Sequence, residues 1–212
     1  MKTMYLLAVA LSAAAFVSTL QPEVAFADEM LRPGNDINCT NLTSPSENAD
    51  QLLSRYGSQA RIEELADTES EPFDGVALYP DNPHLRIEIV PYANIKGNIA
   101  GINLTQKDSR WTMFGMKIGM TLEDVTAANG EPLKLTGFWQ YPDSSYSVFG
   151  DFKPGRLDGG CRLAVSLASP VPLKAGDPLY GRDEILSNDP GLLKRRPTVD
   201  GLFIRWDRPI EE

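Results

Sequence analysis

The chain has 212 residues, with 20 Lys and Arg against 29 Asp and Glu, for a net charge of −9. That length suits one large or two small domains and is enough to bury a core without a metal or many disulfides. The acidity, with Lys194-Arg195-Arg196 as the only basic run, argues against a nucleic-acid partner, whose footprint is clustered Lys and Arg.

Residues 1–27 have the layout of a cleavable secretory signal. Lys2 is followed by an uncharged run from Met4 to Leu20, then by the small-residue site Ala25-Phe26-Ala27 and the acidic Asp28-Glu29. The alternative is an uncleaved anchor, but a run of about 17 residues is at the short edge of what spans a bilayer. Gln21-Pro22-Glu23 also breaks it before the cleavage site. Cleavage after Ala27 is the expectation, giving a periplasmic or secreted protein with no membrane span. No Cys follows the apolar run to carry a lipid; the first is Cys39.

In an oxidising compartment Cys39 and Cys161 are expected to form one disulfide, with a pair of buried thiols as the alternative. Two Cys and the single His84 do not fill a zinc tetrahedron, and Asp143, Asp151 and Asp158 are too dispersed for a calcium loop. No metal and no cofactor is expected.

Along the chain, Ser44-Pro45-Ser46-Glu47 reads as a helix start, with Ser44 as cap and Glu47 as the capping-box acid. Ala49, Leu52, Leu53 and Tyr56 recur at helical spacing, and Gly57 stops the helix after about three turns. Strands follow at Arg61–Leu65, Gly75–Tyr79, Leu85–Ile89 and Ile99–Leu104. Asp81-Asn82-Pro83 turns the second into the third as a hairpin. The order then restarts. Thr121 caps a helix that ends at Asn129-Gly130, and strands follow at Leu133–Trp139, Ser145–Phe152, Cys161–Leu167 and Leu202–Trp206. The expected fold is α+β, short helices on antiparallel sheet, in two helix-plus-sheet halves at 28–108 and 109–212. Whether the halves are a true duplication is open.

Ile118-Gly119-Met120-Thr121-Leu122-Glu123-Asp124-Val125 with Asn129-Gly130-Glu131-Pro132 resembles the repeat of the β-lactamase-inhibitor-protein-like superfamily, which includes the small outer-membrane lipoprotein of the barrel-assembly machinery. The likeness covers about 25 residues, with Ser44–Gly57 a weaker first-half counterpart. The chain also resembles a group of exported bacterial proteins of unassigned activity that share the early Cys, the Tyr56-Gly57 helix end, the Gly-Met-Thr helix and a final apolar-Trp strand. The resemblance implies a helix packed on a small curved sheet used for protein binding or inhibition, and implies no catalysis. Membrane anchoring does not carry over, because the lipid-bearing Cys is missing.

Catalytic chemistry finds little support in the residues. His84 lies in a turn, and neither a Gly-x-Ser-x-Gly elbow nor a phosphate-cradling Gly loop is present. Glu63-Glu64, Glu69 with Glu71, and Asp183-Glu184 sit in polar stretches without the burial that raises a catalytic pKa. The aromatic run Phe138-Trp139-Gln140-Tyr141 stands out, since alternation on a strand places Trp139 and Tyr141 on one face. The expected function is therefore non-enzymatic: binding of an envelope macromolecule, with a cationic protein as one candidate partner, Trp139 and Tyr141 as anchors and Asp143 steering. The alternative is a carboxylate-dependent hydrolase acting on cell-wall or surface glycan.

Overall fold

The structure, a computed structural model, describes residues 36–65, 72–92, 95–136, 147–153, 157–171, 177–179, 182 and 184–207. The signal segment 1–27 lies outside the described residues.

Both longer helices begin where a side chain takes up free backbone N–H groups. In α1 (Ala49–Tyr56) Asn48 accepts from Gln51 N at 3.1 Å and Gln51 accepts from Asn48 N at 3.0 Å. The helix thus starts later than the expected Ser44 and is 8 residues long. Glu47 does accept from Ser44 N at 2.9 Å, but it closes a separate turn and is held there by Arg55 and Thr43. In α2 (Leu122–Asn129) the expected cap Thr121 is in place, Asp124 completes a capping box with it, and Gly130 ends the helix at φ 86°.

After α1 the chain runs through an antiparallel meander of β2 (Ala60–Leu65), β3 (Phe73–Leu78), β4 (Ile87–Pro91) and β5 (Ile99–Leu104). The expected hairpin at Asp81–Pro83 is the β3–β4 connection. After α2 come β7 (Lys134–Thr136), β8 (Ser147–Phe152) and β9 (Cys161–Ala168), again antiparallel. The chain then lays β10 (Glu184–Leu186) beside β7, forms the short α3 (Pro190–Leu193), and returns as β11 (Thr198–Trp206) beside β9. The described strands give a nine-stranded sheet of order β10-β7-β8-β9-β11-β5-β4-β3-β2. Each of the two longer helices is followed by a meander, and β5 of the first and β11, which returns beside the second, pair at the middle with Leu104 opposite Leu202 and Ile102 opposite Ile204. One pairing departs from the antiparallel expectation: β1 (Asp36–Ile37) runs parallel to β6 (Thr112–Met113) in a ribbon two residues long.

The fold is α+β, with one apolar cluster spanning both meanders. Leu52 and Tyr56 of α1, Leu122 and Val125 of α2, and Leu192 of α3 meet Val76, Ile89, Ile102, Val165 and Ile204 of the sheet. Trp111, before β6, is 1% exposed and donates its indole N–H to Leu85 O at 2.8 Å. The Gly119-Met120-Thr121 segment is itself tied to β11, with Gly119 N donating to Val199 O and Val199 N to Met120 O.

Tyr56 offers a pH test of this packing. Its hydroxyl donates to Leu42 O in the interior, and burial pushes its pKa up from 10 to about 12. A pKa raised on folding gives a contribution that is whole below pH 10 and is lost as pH rises from 10 towards 12, about 2–3 kcal/mol in all. Tyr56→Phe is expected to cost about 1 kcal/mol at pH 7 and to remove that alkaline loss. Urea midpoints of both proteins at pH 7 and pH 11 measure it. Equal losses on going to pH 11 would contradict the assignment.

Candidate functional site

Strand alternation sends one set of side chains into the core and the other to the opposite face of the sheet. On that opposite face a registered row crosses seven strands: Arg61, Ala77, Glu88, Asn103, Phe203, Ala164 and Asp151. Among the described residues no α-helix lies on this face, because each α-helix packs into the cluster on the other side.

Glycines shape its centre. A Cβ at Gly201 would stand 2.5 Å from Cζ of Phe203, so the ring lies down over that position. Similarly, a Cβ at Gly101 would be 2.6 Å from Nη1 of Arg205, whose guanidinium carbon is 5.3 Å from the Phe203 ring centroid. Beside them Asn103 Oδ1 is buried without a hydrogen-bond partner. The row therefore has an apolar and cationic middle set among small residues.

Its β2–β4 end is an ion-pair network. Arg86, with a side chain 17% exposed, donates to Glu63 at 2.7 Å and to Glu88 at 3.1 Å. Arg61 also reaches Glu63, and Asp81 at 3.2 Å. Burial works against ionising Glu63, but hydrogen bonds from Arg61 and Arg86 outweigh it and hold the carboxyl below the usual carboxylate range. Burial likewise opposes the charge on Arg86, and Glu63 and Glu88 outweigh it. A cleft of about 480 Å³ opens next to this network, walled by Leu65, Pro80, Pro83 and Thr105. Towards the other edge, Lys134, Thr136, Asp151 and Ala164 border a second cleft of about 420 Å³.

Of the residues singled out in the sequence, Cys39 and Cys161 are joined in a disulfide, with Cα atoms 5.6 Å apart. Trp139, Tyr141 and Asp143 lie outside the described residues, in the connection from β7 to β8. The turn at His84 is as expected; its Nδ1 is 2.9 Å from Asp108 O and its backbone N–H donates to Asn82 Oδ1. Of the three dispersed aspartates, Asp151 is on the helix-free face and Asp158 in the β8–β9 turn, and no group of three metal-ligating side chains occurs among the described residues. The basic run 194–196 is less solvated than its composition suggests, since Arg195 turns inward onto Asp177 and Val171 O. The Glu63–Arg86 network escaped sequence reading because β2 and β4 come together only by each pairing with β3. The one available signal was the charged alternation Arg86-Ile87-Glu88. No helix of the described residues is long and apolar enough to cross a membrane.

No family model matches the chain, and neither a curated protein nor a solved structure matches it.

Proposed function

We propose that this is an exported, non-enzymatic protein that binds another macromolecule of the cell envelope through the helix-free face of its sheet. The observation that carries this reading is the face itself: a registered row across seven strands, fully buried at Ala77, with Phe203 and Arg205 laid over glycines at its centre and fixed charges around them. Aromatic and arginine side chains at the centre of a surface, ringed by polar groups, are the composition of protein-recognition sites. The face carries charges of both signs, so it selects a partner by charge pattern rather than by bulk attraction of a cation. The disulfide fits an oxidising compartment. The hydrolase alternative needs a carboxylic acid with a raised pKa, whereas Glu63 of the ion-pair network is shifted the opposite way.

A photo-crosslinking side chain placed at Ala164 on this face is expected to give one discrete adduct in producing cells. The same probe at Glu123, on the exposed side of α2, is expected to give none. Adducts of the same kind from both positions, or none from Ala164 in folded protein, would count against the reading. Trp139→Ala with Tyr141→Ala tests in the same assay whether the β7–β8 connection shares in the contact.

A further inference from the structure

Among the described residues the β2 edge of the sheet has no partner strand, and its geometry points to a second copy of this chain. We propose that two molecules pair antiparallel through their β2 strands about a twofold axis at Ile62, joining the two sheets edge to edge.

The geometry of the ladder selects this register. β2 is the terminal strand of the described sheet. Ala60 stands opposite Leu78, and Tyr79 N donates to Gln59 O at 2.7 Å, which makes Ala60–Leu78 a non-hydrogen-bonded pair. By alternation, the backbone groups of Arg61, Glu63 and Leu65 face β3, while those of Ala60, Ile62 and Glu64 face outward. The Ala60 N–H is already used by Gly57 O. A twofold at Ile62 lets the two Ile62 residues exchange N–H and C=O bonds, and lets each Glu64 N–H meet the other copy's Ala60 C=O. A twofold at Ala60 would need the N–H that Gly57 holds, and one at Glu64 would set two glutamates opposite each other.

Side chains agree with the backbone. Ile62 is 42% exposed, one of the few large apolar side chains left so open among the described residues, and it would lie against its own copy. Arg61, 52% exposed, would face the other copy's Glu63, and symmetry makes that pair twice. A foreign strand would have to supply an acid opposite Arg61 and a cation opposite Glu63 at two-residue spacing. β2 of a second copy has both. Charged residues commonly guard an edge strand against pairing, but here their signs alternate so as to complement under the twofold.

Sedimentation equilibrium of the oxidised protein is expected to show a concentration-dependent dimer. Arg61→Glu and Glu63→Arg should each weaken it about tenfold or more by setting like charges opposite one another. Mixed in equal amounts the two variants should pair as well as the wild-type chain, since each then faces its complement. Ile62→Pro removes an outward N–H and no ladder bond, so it should abolish the dimer while circular dichroism stays that of the folded protein. Three results would overturn the proposal: a monomer at all concentrations reached, a dimer indifferent to Arg61→Glu, or a mixture no tighter than either variant alone. If Ile62→Pro fails to fold, the charge-variant mixture decides.

Discussion

Reducing the Cys39–Cys161 bond, or replacing both residues by Ala, is expected to lower the unfolding free energy by about 3–5 kcal/mol. The two cysteines are 122 residues apart in sequence, so the bond closes most of the described chain into one loop. Loop-entropy reasoning for so long a closure gives on the order of 4–5 kcal/mol, acting chiefly on the unfolded ensemble. The native state is expected to change little, because the segment around Cys39 has other ties. Asp36 accepts from Thr112 Oγ1 and from Gly115 N, both at 2.7 Å, and Leu42 O accepts from Tyr56. The reduced protein should therefore remain folded, with a lower denaturant midpoint and a steeper dependence on denaturant as its unfolded chain expands. Guanidinium unfolding with and without a thiol reductant measures both quantities. A difference under about 1 kcal/mol would mean that the reduced unfolded chain keeps these contacts and that the entropic account fails here.

The parts of this fold that were legible in the sequence are those whose signals are complete within one stretch of chain. In α2 the cap, the apolar positions and the terminating glycine lie within ten consecutive residues, and its bounds are as read. The β5 bounds Ile99–Leu104 were equally local. At α1 two capping patterns compete. Pro45 and Glu47 suit a helix start, but Glu47 is occupied by Thr43, Ser44 and Arg55, and Asn48 with Gln51 caps instead. The β1–β6 ribbon and β10 are two or three residues long and owe their pairing to neighbours distant in sequence, so no periodicity announces them. Trp111 shows the same limit: a lone aromatic in a loop acquires its place only when the β3–β4 hairpin brings Leu85 O to its indole. The face proposed for binding suffers most from this. Gly201, Phe203 and Arg205 share a face by alternation along β11, but Gly101 joins them only through the pairing of β5 with β11 across about a hundred residues of chain.

That pairing supplies the second large effect. Gly101→Ala is expected to destabilise the protein by about 3 kcal/mol or more, well beyond the gain of up to about 1 kcal/mol usual for Gly→Ala at an unstrained site. A Cβ at position 101 would stand 2.4 Å from Ile204 O, 2.6 Å from Arg205 Nη1 and 2.9 Å from Arg205 Cδ. The arginine can swing away, whereas the Ile204 carbonyl belongs to the backbone of β11, and moving it parts the two strands at which the meanders meet. Gly119→Ala is the contrasting case. Its Cβ meets nothing within 4 Å, and only its φ of 86° opposes the change, at a cost of about 1–2 kcal/mol. Repeating Gly101→Ala in an Arg205→Ala background separates the two obstacles, because that background removes the side-chain clash and leaves the carbonyl. If the carbonyl governs, most of the cost persists in the double variant and thermal unfolding shows the two changes nearly additive. If the cost instead collapses, the middle of the sheet is closed by the Arg205 side chain rather than by strand spacing. Gly101 would then be a residue of the face proposed for binding rather than of the frame beneath it.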